Sequence, residues 1–459
     1  VLLLAPTGKA TVRLKESMKD LREVPQAMSV AQFLARSKRF DGREMRYQLS
    51  NIDDRDIPET VIIDEASMLT EEMFGALMQA LKTAKRIIFV GDPNQLPPIG
   101  AGRPFVDLVY LLRMNLRPGV FPMVCASYGQ LTVNRRQGDG SERLDVEMSK
   151  LFTNTEDEVD EGIVSEIEKS GSDYIAFSRW DTKEELENKL LQIVSKELGM
   201  ADVDDQEGFD LALGGTKLDH GVFFNRGCAA SAEAWQILAP VRNMPQGVMN
   251  INRLFHLKYR EKLLGVSKRD YYRRIPKALG PEGIIYGDKV INVINKRRDG
   301  WNDRVFDGYV ANGEIGIACG CYSTKRVPDY LRIEFASQQG CYYSFTKSDF
   351  DDESGAASLE LAYALTVHKA QGSQFDTVIL IIAEPCLLIS RELLYTALTR
   401  QRKKIIILYN QEAYHLLKYA SAANSDIARR FTDLFADVYH EESLDMRPQI
   451  VKAGEHFYE

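Results

Sequence analysis

Short, continuous apolar runs that alternate with helical patterns are the feature of this sequence that most restricts its fold. Val1–Ala5 precedes a helical pattern over Lys9–Leu21, and Val61–Ile63 precedes another over Thr70–Leu81. Further apolar runs are Arg86–Val90, Leu359–Leu365, Thr377–Ala383 and Lys404–Tyr409. Strands that are apolar throughout are covered on both faces, which is typical of parallel sheets between layers of helices. The sequence therefore predicts an α/β fold.

The pattern changes between about Ile284 and Phe350. Apolar and polar residues alternate there and glycines mark turns, as in Gly283–Val290 and Asn312–Gly316. Such a period of two is typical of antiparallel strands. We therefore expect a small β-barrel over residues 281–350, inserted in the α/β host.

The composition excludes several classes of protein. Of 459 residues, 44% are hydrophobic and 27% are charged, which argues against a disordered chain, a collagen-like chain and a coiled coil. The 58 basic and 66 acidic residues give a formal net charge of −8. This charge does not exclude nucleic-acid binding, because a local basic groove can bind phosphates in a protein that is acidic as a whole. No apolar run approaches the roughly 18 residues of a membrane helix. Six cysteines are too few for a disulfide framework, so we expect a cytoplasmic protein without membrane contact.

Two carboxylates directly follow the apolar strand Val61–Ile63. Parallel sheets bind ligands at the carboxyl ends of their strands, and an acidic pair there suits nucleotide hydrolysis. Asp64 would hold Mg²⁺, usually through water, and Glu65 would accept the proton of the attacking water. The alternative is a strand that ends at surface acids.

The next strand, Arg86–Val90, runs into a loop rich in glycine and proline at Gly91–Pro98. Its polar side chains include Asp92 and Gln95. Gln95 could contact both a γ-phosphate and an opposite domain, and so sense whether the nucleotide is intact. The alternative is a plain proline-rich turn.

These segments resemble the conserved motifs of superfamily 1 helicases, and more narrowly those of the RecD-like branch. The similar segments, in the order of the family's motifs Ia, II, III, IV, V and VI, are Leu4–Ala10, Asp64–Ser67, Gly91–Pro98, Leu131–Gln137, Thr366–Ser373 and Leu394–Arg400. Weaker traits are Leu238–Arg242 and the turn Asn312–Gly316. The resemblance covers nearly the whole chain.

The resemblance implies two RecA-like (P-loop NTPase fold) domains, with ATP between them and single-stranded DNA across both. The first domain would be residues 1–125 and the second 126–280 with 351–440, followed by a tail at 441–459; the inserted barrel would be SH3-like. Arg136 and Arg400 resemble arginine fingers that reach from the second domain onto the γ-phosphate. Arg135 is the neighbouring competitor of Arg136, which directly precedes Gln137 as in the motif.

The resemblance also assigns binding residues. Thr7 and Lys9 on the first domain, with Thr366, His368 and Lys369 on the second, match positions that face DNA. Asp92, Gln371, Gly372 and Gln374 match positions near the nucleotide. The family usually carries Glu where Gln374 stands, so Gln374 would offer a hydrogen bond to the nucleotide sugar without the charge.

The P-loop pattern G-x-x-x-x-G-K-[ST] occurs nowhere in the 459 residues. Without its backbone cradle and lysine, the β- and γ-phosphates lose their main holder. The family's loop precedes motif Ia, so we expect truncation, with the P-loop on a missing N-terminal segment. The chain as printed should then hydrolyse ATP poorly.

Several alternatives remain open at this stage. The resemblance implies 5′→3′ movement and possible partners in recombination or repair. One alternative is a catalytically dead DNA-binding or complex-forming remnant. Another is an RNA helicase or the helicase half of a conjugative relaxase, which share motifs II, III and V. Cys319, Cys321 and Cys341 match no common zinc spacing, so buried reduced thiols of the barrel are the expectation. The basic segment Lys268–Arg274 is expected to be a solvated helix face, with stacking on single-stranded DNA as the alternative. Lys296–Arg298 is expected to be an exposed loop of the barrel.

Overall fold

The computed structural model describes residues 1–41, 46–48, 57–113, 124–131, 143–153, 162–170, 172–268, 275–301, 308–320, 329–350 and 357–430. The chain forms two compact units. The first comprises Val1–Ile163, Ile389–Thr399 and Leu416–Glu459, and the second Val164–Leu388 and Arg400–His415. The domain boundaries expected from the motifs stay a proposal.

The first unit is built on a four-stranded sheet in the order β2-β1-β5-β6, and all its neighbouring strands are parallel. Its elements are β1 (Leu2–Ala5), α1 (Gly8–Ser17), β2 (Gln26–Ser29), α2 (Val30–Arg36), β3 (Phe40–Asp41), β4 (Arg46–Tyr47), β5 (Thr60–Ile63), α3 (Glu71–Ala80), β6 (Arg86–Phe89), α4 (Pro104–Arg113), β7 (Val124–Cys125), β8 (Tyr128–Gly129), α5 (Leu144–Lys150) and α10 (Arg391–Leu398). The three apolar runs predicted near the start of the chain are therefore strands of one sheet.

The central strands of this unit are buried because their side chains are apolar on both faces. Leu4, Val61 and Ile63 are fully buried, and Phe74 and Leu77 of α3 belong to the same core. The α3 helix begins where the sequence predicts it, since the Thr70 hydroxyl accepts a hydrogen bond from the Met73 N–H, 3.2 Å away. Such a cap satisfies one of the N–H groups that a helix start leaves unpaired.

The second unit contains a five-stranded parallel sheet in the order β21-β12-β22-β23-β9. Its helices and the strands outside the antiparallel sheet are α6 (Ile163–Ser170), β9 (Ile175–Arg179), α7 (Lys183–Glu197), α8 (Gln206–Ala212), β10 (Thr216–Leu218), β11 (Gly221–Phe223), β12 (Trp235–Ala239), α9 (Val248–Ser267), β21 (Ala364–Thr366), β22 (Phe375–Ile382) and β23 (Gln401–Tyr409). The two parallel sheets, one in each unit, confirm the predicted α/β class. That the two units are RecA-like domains stays a prediction.

The region of alternating residues forms a six-stranded antiparallel sheet in the order β15-β19-β18-β17-β13-β20. Its strands, with the separate pair β14 and β16, are β13 (Lys289–Asn292), β14 (Lys296–Arg297), β15 (Gly300–Trp301), β16 (Tyr309–Val310), β17 (Ile315–Cys319), β18 (Tyr330–Phe335), β19 (Tyr342–Thr346) and β20 (Leu359–Leu361). The predicted change of pattern therefore marks a change of sheet type, and closure into an SH3-like barrel stays a prediction.

The apolar run Leu359–Leu365 differs from the single strand that the sequence suggests. It divides into β20, which pairs antiparallel with β13, and β21, which joins the parallel sheet. Asn252 of α9 satisfies the backbone at the break, since its amide donates to the carbonyls of Leu361 (2.9 Å) and Ala364 (3.2 Å) and accepts from the Ala364 N–H (2.7 Å). The chain thus crosses between sheets just before the predicted DNA-facing residues.

The helices in the described ranges include none that is both long enough and apolar enough to cross a membrane.

Candidate nucleotide and nucleic-acid sites

The acidic pair lies at the carboxyl end of β5 in the first unit. The backbone around it is tied to both neighbouring strands, since the Asp64 N–H donates to the Leu4 carbonyl and the Ala66 N–H to the Val90 carbonyl, each over 2.9 Å. Both carboxylates are half-buried. The sheet therefore holds them at the strand-end position that the sequence predicts.

Glu65 has a left-handed backbone conformation, with φ 52° and ψ 39°. A residue with a side chain adopts this conformation at a cost of about 1–3 kcal/mol, and such strain concentrates at functional sites. The Glu65 N–H donates to Asp64 Oδ1, 2.9 Å away. The left-handed turn thus ends the extended backbone of β5, so the side chains of Asp64 and Glu65 do not follow the alternation of a strand.

Gly91 has close neighbours where β6 meets the following loop. A Cβ there would lie 2.9 Å from Cζ of Phe105 and 3.1 Å from the Ser67 backbone nitrogen, so a larger residue would require one of these to shift. The loop after β6 therefore packs directly against the turn that carries the acidic pair.

Asp92 and Gln95 lie in this loop, at the strand end next to the acids. Asp92 Oδ1 accepts from the Asn94 N–H (3.0 Å), and Gln95 Nε2 donates to Asp92 Oδ2 (3.4 Å). Gln95 is 9% exposed, and within the described part of the chain its Oε1 has no hydrogen-bond partner, as is also true of the buried Ser67 Oγ. Buried polar atoms are normally paired, so these oxygens fit a site completed by a polar ligand.

Helix α10 belongs to this unit and contacts the same loop. The Tyr395 hydroxyl donates to Asp92 Oδ2 over 2.8 Å, and the Leu96 N–H donates to Thr396 Oγ1 over 2.8 Å. This segment lies in the predicted motif VI, but the sequence alone predicts no role for Tyr395. A tyrosine inside a recognised motif was the available signal.

The predicted DNA-facing residues of the first unit lie at the start of α1. Thr7 is its N-cap and accepts from the Ala10 N–H, 3.2 Å away. Lys9, in the first turn of this helix, is only 7% exposed. Their contact with DNA stays a prediction.

The corresponding residues of the second unit form a compact turn after β21. Thr366 Oγ1 accepts from the Lys369 N–H (3.2 Å), and the Ala370 N–H donates to the Thr366 carbonyl (3.1 Å). His368 and Lys369 are partly exposed. Gly372 has φ 69°, a conformation that favours glycine.

Arg400 lies against the end of this turn. Its side chain is 4% exposed, Nη1 is 3.4 Å from the Ser373 carbonyl to which it donates, and the Phe375 N–H donates to the Arg400 carbonyl over 2.9 Å. The structure thus brings Arg400 beside the segment that carries Gln371, Gly372 and Gln374. Gln371 is 8% exposed and Gln374 is half-buried.

Lys369 also takes part in a group of charges that the sequence reasoning missed. Glu360 accepts from Lys369 Nζ (2.8 Å) and from Arg242 Nη2 (3.0 Å), so one carboxylate separates two cations. Burial alone would raise the pKa of Glu360, but its hydrogen bonds and ion pairs with Lys369 and Arg242 outweigh burial and hold this pKa below its ordinary value. Arg242 lies in one of the weaker family traits, which was the only sequence signal.

Other sequence predictions fall outside the described residues. These are Arg136 with its competitor Arg135, Cys321 and the basic positions 269–274. Lys296 and Arg297 are exposed, and Arg298 donates to Asp349 Oδ1 over 2.8 Å. The described cysteines, Cys125, Cys228, Cys319, Cys341 and Cys386, are free thiols.

Two family models match the chain. Residues 1–101 match an AAA domain, and residues 361–408 match the UvrD-like helicase C-terminal domain. The first match contains the acidic pair and Gln95, and the second contains the turn after β21 and Arg400.

Curated relatives match over most of this chain. An uncharacterised protein of Methanocaldococcus jannaschii is 29% identical over 95% of the chain and 36% of its own length. The ATP-dependent RecD2 DNA helicase of Deinococcus radiodurans is 24% identical over 78% of the chain and 37% of its length. The RecBCD enzyme subunit RecD of Haemophilus influenzae is 23% identical over 90% and 62%. The chain thus spans between about a third and two thirds of these relatives.

Among solved structures, the Pif1 helicase from Bacteroides in complex with ADP-AlF3 and single-stranded DNA aligns with 98% of this chain and 94% of its own, at 14% identity and a TM-score of 0.39.

Proposed function

Because the chain belongs to the RecD-like branch of the superfamily 1 helicases, we propose that it is the C-terminal portion of an ATP-dependent DNA helicase. Its activity would couple ATP hydrolysis to movement along single-stranded DNA, in the 5′→3′ direction. The expected partners are single-stranded DNA, a segment carrying the P-loop and other recombination or repair subunits, in the cytoplasm.

One observation supports this proposal above all: two neighbouring parallel strands end at the same edge of one sheet, and the residues that follow them are acidic or carry a side-chain amide. β5 ends at Asp64 and Glu65, and β6 leads to Asp92 and Gln95. Carboxylate oxygens are the ligands that Mg²⁺ prefers, and the orphaned Gln95 Oε1 fits a polar ligand. The residues therefore suit a magnesium nucleotide, with Asp64 as the proposed Mg²⁺ residue.

The proposed chemistry assigns a separate task to each group. Glu65 takes the proton of the attacking water, and Gln95 positions that water or the γ-phosphate through its amide. Bound Mg²⁺ would neutralise phosphate charge. Arg400, and Arg136 from the predicted motif IV, would stabilise the charge that develops in phosphoryl transfer.

The hydrogen bonds between α10 and the loop after β6 would couple the state of the bound nucleotide to movement along DNA. Asp92 Oδ2 accepts hydrogen bonds from both Gln95 Nε2 and the Tyr395 hydroxyl. A movement of the Gln95 amide therefore changes the hydrogen bonding of the carboxylate that holds Tyr395. The α10 helix ends at Leu398, two residues before Arg400. We propose that loss of the γ-phosphate is communicated through this pair.

Nucleotide binding in the proposed helicase needs a P-loop that the 459 residues do not contain. We expect negligible DNA-stimulated ATPase from the chain as printed, and restored ATPase and 5′→3′ unwinding when an upstream P-loop segment is included. Steady-state ATPase with and without single-stranded DNA checks this, with unwinding of matched DNA and RNA duplexes beside it. Robust ATPase from the printed chain would contradict the P-loop argument, and preferential RNA unwinding would contradict the DNA assignment.

The ion-pair group of the second unit leads to a prediction about DNA binding. Arg242→Ala and Lys369→Ala should each weaken binding of single-stranded DNA, because each removes one cation available to a phosphate. For single strands, each lost phosphate contact should reduce the slope of log affinity against log salt by about 0.7. Glu360→Gln should strengthen binding, since the carboxylate competes with phosphate for both cations. Fluorescence anisotropy across a salt series measures these slopes.

Arg253→Ala is the matched control for Arg242→Ala, since Arg253 is an exposed arginine of α9 and its loss changes the net charge equally. Its slope should equal that of the unchanged chain. Equal losses in Arg253→Ala and Arg242→Ala, or weaker binding by Glu360→Gln, would show that the group is a structural ion pair.

A further inference from the structure

A cluster of two thiols and a carboxylate lies in the second unit, apart from the turn that carries Lys369. The side-chain ligand atoms of Cys228, Cys319 and Glu334 all lie within 4.8 Å of one another. The three residues are 4%, 2% and 0% exposed. They come from three separate segments, so only the folded chain assembles them.

The strand register places two of the three ligands on one face of the antiparallel sheet. Ile317 of β17 pairs directly with Glu334 of β18, and Cys319 is two residues beyond Ile317 on the same face. Cys319 and Glu334 are therefore diagonal neighbours, the arrangement in which side chains across a strand pair still reach each other. The pleat of the sheet positions both without help from a loop.

Backbone N–H groups hold the Glu334 carboxylate in place. The Gly227 N–H lies 2.9 Å from both of its oxygens, and the Gly340 N–H donates to Oε1 over 3.0 Å. Cys228 follows Gly227 and begins the 3₁₀ helix Cys228–Ser231. The same carboxylate thus orients the turn that presents the third ligand.

We propose that Cys228, Cys319 and Glu334 bind a zinc ion. Two thiolates and one carboxylate are a ligand set that this borderline-soft cation accepts, with a fourth, tetrahedral position left for water or another ligand. Three protein ligands with an open position are typical of catalytic zinc, but all three residues are almost fully buried, so we assign the ion a structural role. Zinc would fasten the 3₁₀ helix onto β17 and β18.

A zinc ion would add to the stabilisation of this buried group. The hydrogen bonds from Gly227 and Gly340 offset part of the cost of removing the Glu334 carboxylate from water, but the two thiols are weak donors that contribute little. Zinc binds the thiolate form of cysteine, so its binding would release the protons of both thiols.

The test uses the full chain, reduced, stripped with a chelator and then dialysed against zinc. Elemental analysis should find zinc equimolar with protein, and cobalt substituted for zinc should give the absorption of a tetrahedral thiolate site. Cys228→Ser and Cys319→Ser should each lower zinc affinity by about tenfold or more. Cys341→Ser is the control, because Cys341 is equally buried but lies outside the cluster.

Thiol modification of the unchanged chain provides a second measurement if the serine variants fail to fold. Zinc should slow alkylation of Cys228 and Cys319, mapped by mass spectrometry, and should leave the rates at Cys341 and Cys386 unchanged. Failure of the reduced chain to take up zinc, whether or not a Cys228–Cys319 disulfide is recovered, overturns the proposal. So does zinc that is retained by both Cys228→Ser and Cys319→Ser.

Discussion

Glu65→Gln, made in a chain that includes a P-loop segment, should abolish ATP hydrolysis while ATP and DNA binding persist. Glutamine matches glutamate in size but cannot take the proton of the attacking water, a contribution of about 10²–10⁴ in rate. The left-handed backbone at Glu65 and its hydrogen bond to Asp64 do not depend on the carboxyl charge, so the turn should survive. Single-turnover ATPase, with nucleotide and single-stranded DNA binding measured on the same preparation, checks the expectation.

Glu72→Gln is the matched control for this substitution. Glu72 is an exposed carboxylate in the first turn of α3, in the same unit, and its loss changes the charge by the same amount. Its turnover should equal that of the parent chain. Near-normal hydrolysis by Glu65→Gln would remove Glu65 as the base, and loss of ATP binding would indicate that the carboxylate holds the metal instead.

Arg400→Ala should depress kcat by about 10³-fold or more, with DNA affinity changed little. An arginine that stabilises the charge of phosphoryl transfer contributes about 10³–10⁵ in rate. The side chain is buried and donates to the Ser373 carbonyl, so its position is set by the turn after β21. ATPase kinetics at saturating DNA separate kcat from KM, and anisotropy gives the DNA affinity.

Two further variants separate this role from a structural one. Arg402→Ala removes an exposed arginine of β23 that pairs with Asp376, and it should leave kcat unchanged. Arg400→Lys keeps the charge without the planar guanidinium and should recover only part of the rate. A collapse of DNA affinity in Arg400→Ala with turnover intact would show that Arg400 belongs to the DNA site.

The local sequence pattern was sufficient to predict the strand and the helix that flank the acidic pair. The run Val61–Ile63 lies within β5, and the pattern over Thr70–Leu81 contains α3, because apolar period and a threonine cap act over neighbouring residues. The run Leu359–Leu365 has the pattern of one strand, and local pattern carries no trace of the amide of Asn252, which binds the backbone at the break from more than a hundred residues away.

The sequence by itself determined the α/β class, the change to antiparallel strands and the acids at the end of β5. These depend on periodicity and on residues adjacent in the chain. Only the tertiary structure decided the pairing of Tyr395 with Asp92, 303 positions apart, the cations around Glu360, and the meeting of Cys228, Cys319 and Glu334. These contacts join segments that are far apart in the sequence and are not reflected in the pattern of neighbouring residues. They form only when the chain folds, so the sequence pattern does not predict them.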